Sequence, residues 1–271
     1  MGGNGGLITY GALDTKNSCA NMTGSEKRPL LVIGKYKSPH CFKHRGKPPV
    51  EYDANANAWM NSKIFDAWLK KWNEELAQDD RHILLYVDNS CPHKSTLKLS
   101  HIELKLLPAN TTARSQPLDQ GIIRNIKFHY KRILLNKIVN ALDNNQEFQL
   151  NLFKALRLLK IAWNKVKQTT IQHCFHHAGF VDNDRGLSEE ADEDEQEMEE
   201  IIGLWQQLVI RDRTDGTELD EYMDFDGEME LSESEEMEPN EQEEMEPIAV
   251  GPSEMTRRKP ATILKINRHN K

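Results

Sequence analysis

The sequence predicts an α/β domain, because uniformly apolar, β-compatible runs alternate with amphipathic helical stripes through its first 180 residues. The run LLVIGK, ending at Lys35, and the run HILLYV, from His82 to Val87, are apolar at consecutive positions, as strands covered on both faces must be. Between them Trp59, Ile64, Phe65, Trp68, Leu69, Trp72 and Leu76 recur at three- and four-residue intervals, the stripe of a helix that covers a sheet. Charge bounds the domain. Residues 1–180 hold 26 Lys+Arg against 14 Asp+Glu, a net of +12, and residues 181–271 hold 9 against 29, a net of −20, which together give the chain's −8.

Taken in order, residues 16–35 read as a hairpin, with KNSCANM and LLVIGK joined by the turn TGSEKRP. The helical stripe runs from Ala58 to Leu76, and the strand His82 to Val87 stops at Asp88. Residues 102–107 (IELKLL) give another strand, closed by Pro108, and PANTTARSQPLDQG leads as a loop into a long helix that starts near Leu118 and is opened by Asp119. Over 120–142 that helix carries Ile122, Ile126, Tyr130, Ile133 and Ile138 on one side and Arg124, Lys127, Lys131, Arg132 and Lys137 on the other. Two more helices follow, at about 150–168 and 169–177, and Gly179 ends the second. Residues 182–250 are too charged to bury a core and are expected to be disordered, with one short helix at 201–210 (IIGLWQQLVI).

Several classes are excluded. No stretch reaches the roughly 18 consecutive apolar residues of a membrane helix, and MGGNGGLITYG lacks the charged start of a signal peptide. Cys19, Cys41, Cys91 and Cys174 form no CxxC pair, so neither a zinc ribbon nor a disulfide framework is indicated. His173, His176 and His177 surround Cys174 but have no second ligand cluster at zinc-finger spacing. A body with a net of +12 favours a polyanionic partner such as nucleic acid, because Lys and Arg release counterions condensed on phosphates.

Asp88 ends a buried strand and Asp119 opens a helix 31 residues later. Phosphoryl-transfer nucleases place carboxylates in this way to hold Mg²⁺ or Mn²⁺, two ions about 3.5–4 Å apart stabilising the attacking and leaving oxygens. Spacing alone equally allows a turn residue and a helix cap, positions that Asp favours.

The surrounding blocks decide more. LLYVDNSCPHK (84–94) and LPANTTARSQPLDQGIIRNIKFHYKR (107–132) resemble the DDE superfamily of the pogo, Tigger and jerky transposases. CANMTGSEKRPLLVIGKYKSPHCFK (19–43), YDANANAWMNSKIFDAWL (52–69) and AWNKVKQTTIQHCFHHAGF (162–180) are similar to the same family, so the resemblance covers about 16–180. It implies an RNase H-like fold and a metal-dependent transposase with three acidic residues. Asp88, in a block with Asn89 and His93, matches the second, and Asp119, in QPLDQG, matches the third. The first belongs to an opening strand with a block resembling M-D-E-T, and no such block occurs here. The expectation is therefore a fold incomplete at its N-terminal strand. The alternative is that LITYGALD takes that strand's place and Asp14 supplies a carboxylate.

The expected organisation is a Gly-rich remnant (1–15), a partial DDE domain (16–180), an acidic tail (181–250) and a basic C-terminal segment (251–271). The expected function is that of a transposable-element-derived, nuclear, DNA-binding protein without transposase activity. Mg²⁺ or Mn²⁺ would be its family cofactor, with Asp88 and Asp119 as ligands. DNA would be held weakly, without sequence preference and without the family's helix-turn-helix domains, by Arg124, Lys127, Lys131, Arg132, Lys94, Lys98 and Lys105. The acidic tail would fold back on the basic body or recruit a nuclear protein partner, with Ile201 to Ile210 burying its apolar face on a partner helix. The competing readings are an active endonuclease using Asp14, a protein-interaction role for the tail, and a decayed transposon remnant.

Overall fold

The structure, a computed structural model, describes residues 7–12, 16–108, 117–180, 192–211, 214 and 218–224. Its centre is a six-stranded sheet of order β4-β3-β2-β1-β5-β6, made of β1 (Leu7–Ala12), β2 (Lys16–Asn21), β3 (Leu31–Gly34), β4 (Glu51–Ala54), β5 (Ile83–Val87) and β6 (Ile102–Leu106). Strand β2 runs antiparallel to both neighbours, whereas β1–β5, β5–β6 and β3–β4 are parallel pairs. The hairpin read at 16–35 is present as β2 and β3.

Alternation along each strand sends side chains to two cores. Cys19, Leu31, Ile33, Ile83, Leu85, Val87 and Ile102 face helix α1 (Ser62–Gln78), whose Phe65, Trp68, Leu69, Trp72 and Leu76 cover that side. Ala20 and Val32 point the other way, into a core shared with α2 (Ile123–Asp143), α3 (Leu152–Lys165) and α4 (Gln168–His177). Asn61 caps α1 and Asn151 caps α3, each accepting from the third helical backbone N–H.

Two expectations are corrected. The opening strand thought to be lost is present: Leu7–Ala12 pairs with β2 on one side and β5 on the other. Ile8, Thr9 and Tyr10 are β-branched or aromatic, and the slot offers backbone partners on both sides that would otherwise stay unpaired. Likewise, part of the segment expected to be disordered is helical, and the helix expected at 201–210 is longer than that. Helix α5 (Asp192–Ile210) and the short α6 (Leu219–Asp224) pack on α2, burying Ile201, Leu204, Trp205, Leu208 and Tyr222 against Leu135, Ile138 and Val139. A segment dense in Glu can do this because its apolar residues lie at helical spacing while its carboxylates flank them. The segment expected to seek a partner helix finds one in its own chain. Strand β4 was not foreseen, and Asp14, the loop 109–116 and the basic segment 251–271 lie outside the described residues.

Candidate active site and nucleic-acid surface

Strand β5 ends where Val87 accepts a hydrogen bond from the Leu107 backbone at 2.8 Å, and the chain then turns through Asp88 into the 3-10 turn Cys91–His93. Pro92 fixes that turn's backbone and brings His93 back onto the carboxylate. His93 Nδ1 hydrogen-bonds Asp88 Oδ1, and the same oxygen accepts from Ser90 Oγ at 2.8 Å and the Ser90 backbone at 3.3 Å. Ser90 Oγ also lies 2.9 Å from His93 Nδ1, closing a three-residue cluster. The imidazole is fully buried and packs on Phe65, with ring centroids 4.7 Å apart.

Burial alone would raise the Asp88 pKa. The hydrogen bond and charge of His93, with the two bonds from Ser90, outweigh it and hold the carboxyl below its usual range. Among the described residues only Oδ1 of this carboxylate takes a hydrogen bond. Asn89 and His93 stood in the sequence block, but Ser90 was missed. A Ser two residues after an Asp at a strand end, returning a bond as in an Asx turn, is the signal that would have found it.

Asp119 lies in the single π-helical turn Leu118–Ile122 ahead of α2. Leu118 and Ile122 are fully buried and anchor the turn. Gly121 has φ 152°, and a Cβ there would approach Cys174 Sγ of α4 to 3.2 Å. Cys174 is itself buried, which pushes its thiol up to about 11 and keeps it protonated at neutral pH. This turn touches β1, which also pairs with β5, so β1 adjoins both the strand that leads to Asp88 and the turn that carries Asp119. The β1–β5 register pairs Thr9 with Tyr86, and carried two residues further it sets Gly11 level with Asp88.

The basic residues divide into two groups. Lys94, Lys98 and Arg124 are exposed, Lys127 is half-buried, and Lys105 is exposed with Glu103 at 2.8 Å. Lys131 and Arg132 were expected on the same face and are instead buried. Lys131 Nζ donates to the Tyr222 and Met223 carbonyls at 2.7 Å each, and Arg132 pairs with Glu197 at 2.8 Å and Glu200 at 3.5 Å. Helices α5 and α6 occupy the surface that these two cations would have offered to phosphate.

The profile of the DDE superfamily endonuclease matches residues 15–175, more than half of the chain. This chain belongs to that family. The DDE match begins beyond β1, so the strand carrying Gly11 precedes it. Among curated relatives, mouse Tigger transposable element-derived protein 4 is 37% identical over 161 residues, which is 59% of this chain and 31% of the relative. Human Major centromere autoantigen B is 32% identical over 165 residues, 60% of this chain and 27% of its own length. ARS-binding protein 1 of Schizosaccharomyces pombe is 26% identical over 219 residues, 75% and 41% respectively. The chain thus spans well under half the length of these relatives. No solved structure matches it.

Proposed function

We propose that this chain is a transposable-element-derived, nuclear DNA-binding protein that keeps the RNase H-like DDE scaffold and lacks transposase activity. A sheet order β3-β2-β1-β5-β6 in which β2 alone runs antiparallel supports the RNase H-like reading. The loss of activity rests on Gly11: the β1–β5 register, whose last pair is Thr9 with Tyr86, extends to set a residue without a side chain level with Asp88. Asp88 and Asp119 suit a Mg²⁺ or Mn²⁺ ion, but two such ions in phosphoryl transfer need a further carboxylate to hold both. The donor set does not fit that pair, and no catalytic step is assigned to it.

Binding would rest on Lys94, Lys98, Lys105, Arg124 and Lys127, which contact backbone phosphates without reading sequence. The names of two relatives, ARS-binding protein 1 and Major centromere autoantigen B, agree with a chromatin setting. A second reading has one observation in its favour. Because β1 is in place, Asp14, two residues beyond its end, follows the strand that would bear the missing carboxylate.

Plasmid nicking by the full chain with Mg²⁺ and with Mn²⁺ separates the two, run beside Asp88→Asn and Asp14→Asn and a gel shift across a salt series. The expected result is no nicking together with a shift that weakens as salt rises. Nicking that vanishes in both variants would establish the endonuclease instead.

A further inference from the structure

At the opposite end of the sheet from Asp88, Asp80, His82 and His101 converge, each offering one ligand atom within 4.8 Å of the others. We propose that these three residues form a binding site for a divalent transition metal of the zinc class, clamping the N-terminal ends of β5 and β6.

The pairing of parallel strands sets the geometry. Ile83 pairs with Ile102, so the residues just before them, His82 and His101, stand level, with ring centroids 4.6 Å apart and planes 33° from parallel. Asp80 reaches them from the turn after α1, where its φ of 49° and the bond from the Arg81 backbone to the Leu76 carbonyl, 2.9 Å, reverse the chain. Helix α1 ends at this turn, and the negative end of its dipole is a field that favours a cation.

The histidines are held in place. Asn73 of α1 accepts from the His101 backbone at 2.9 Å, and its amide donates to Ser100 Oγ at 3.3 Å. Ser100 Oγ lies 2.7 Å from His101 Nδ1; when it accepts from Nδ1–H, the lone pair is left on Nε2, the arrangement that metal-bound histidines show. Arg81, between two of the ligands, turns its guanidinium to Glu26 at 2.6 Å, so its charge does not compete with the metal.

Two imidazoles and one carboxylate select zinc-like ions over Mg²⁺, which demands oxygen donors. Zinc bonds of about 2.0–2.2 Å require the donor atoms to close in by roughly 1 Å, within reach of rotamer adjustment at a half-exposed site. The fourth position would be open to water. Strand β5 puts about 20 Å between this site and Asp88, so the proposal does not rest on the nuclease reading.

The test is Zn²⁺ titration of the untagged, metal-stripped full chain against a chromophoric chelator, with Mg²⁺ as control. One equivalent should bind, and thermal melting should shift upward with Zn²⁺ but not with Mg²⁺. His82→Ala and His101→Ala should each weaken binding at least about tenfold and abolish the thermal shift, since loss of even a supporting partner typically costs that much. All three ligands lie at the surface, and an unchanged far-UV circular dichroism spectrum would establish that the variants fold. Wild-type Zn²⁺ affinity in both variants, placing the ion elsewhere, or no saturable binding in the wild type, would overturn the site.

Discussion

Asp88 is a carboxylate poised by its neighbours rather than by its strand. Since its folded pKa lies below the unfolded value of about 3.9, it contributes stability above that pH, and the contribution fades as pH falls through the folded value. His93→Ala removes the strongest opposing influence and leaves burial against two Ser90 bonds, so the Asp88 pKa should move upward. Carbon-detected NMR titration of the side-chain carboxyl reads this directly, and an unmoved titration would show that Ser90 alone sets the group. The same scale explains which motifs were legible. The block GSEKRP lies within one of the stretches similar to the family, and its residues build architecture. Gly24, at φ 66°, lets the turn approach Gln168, whose amide donates to the Thr23 carbonyl at 2.8 Å. Lys27 Nζ donates to the Trp163, Asn164 and Val166 carbonyls at the end of α3, and Arg28 pairs with Glu75 at 2.6 Å while stacking on Trp72. The block was visible in the sequence; its long-range partners, more than a hundred residues away for Lys27, were not.

At the scale of elements, long periodic or wholly apolar segments were readable and short or mixed ones were not. Helix α1 and strand β5 declare themselves through Trp68, Trp72 and ILLYV. Strand β4 is an edge strand whose four residues are all half-buried, and the alternation of EYDA is too short to stand out in the sequence. Strand β1 has six residues but a mixed sequence, LITYGA, and pairing with β2 and β5 gives it its place. The π-helical turn before α2 was read as the plain start of a helix, because nothing local signals a Gly at φ 152°. That turn makes its own prediction. Gly121→Ala should cost about 1–3 kcal/mol, since it strains the backbone and presses a methyl onto Cys174. Chemical denaturation measures the loss, and a variant as stable as the wild type would mean that the turn relaxes freely.

Over the whole molecule, the two charge blocks meet in one contact. The basic body and the acidic segment join where Glu197 and Glu200 take Arg132, Asn136 donates to Glu200 at 2.7 Å, and the rings of Trp205 and Tyr222 stack at 4.9 Å beside Lys131. Ending the chain at residue 180 would uncover Leu135, Ile138 and Val139 together with both cations. The protein's net charge would move from −8 to +12. Glu197→Gln with Glu200→Gln tests the same contact in the full chain with a change of only two charges. Arg132 then lacks its carboxylates, and the helix pair should loosen by about 1–3 kcal/mol. If α5 shields Arg132 and α6 shields Lys131 from phosphate, loosening the pair should steepen the fall of log affinity with log salt by about 0.9 for each phosphate gained, roughly two in all. DNA binding measured across a salt series would settle it: an unchanged slope in a variant whose α2–α5 contact has demonstrably loosened would mean that these two cations serve the fold alone and that the acidic helix does not compete with DNA.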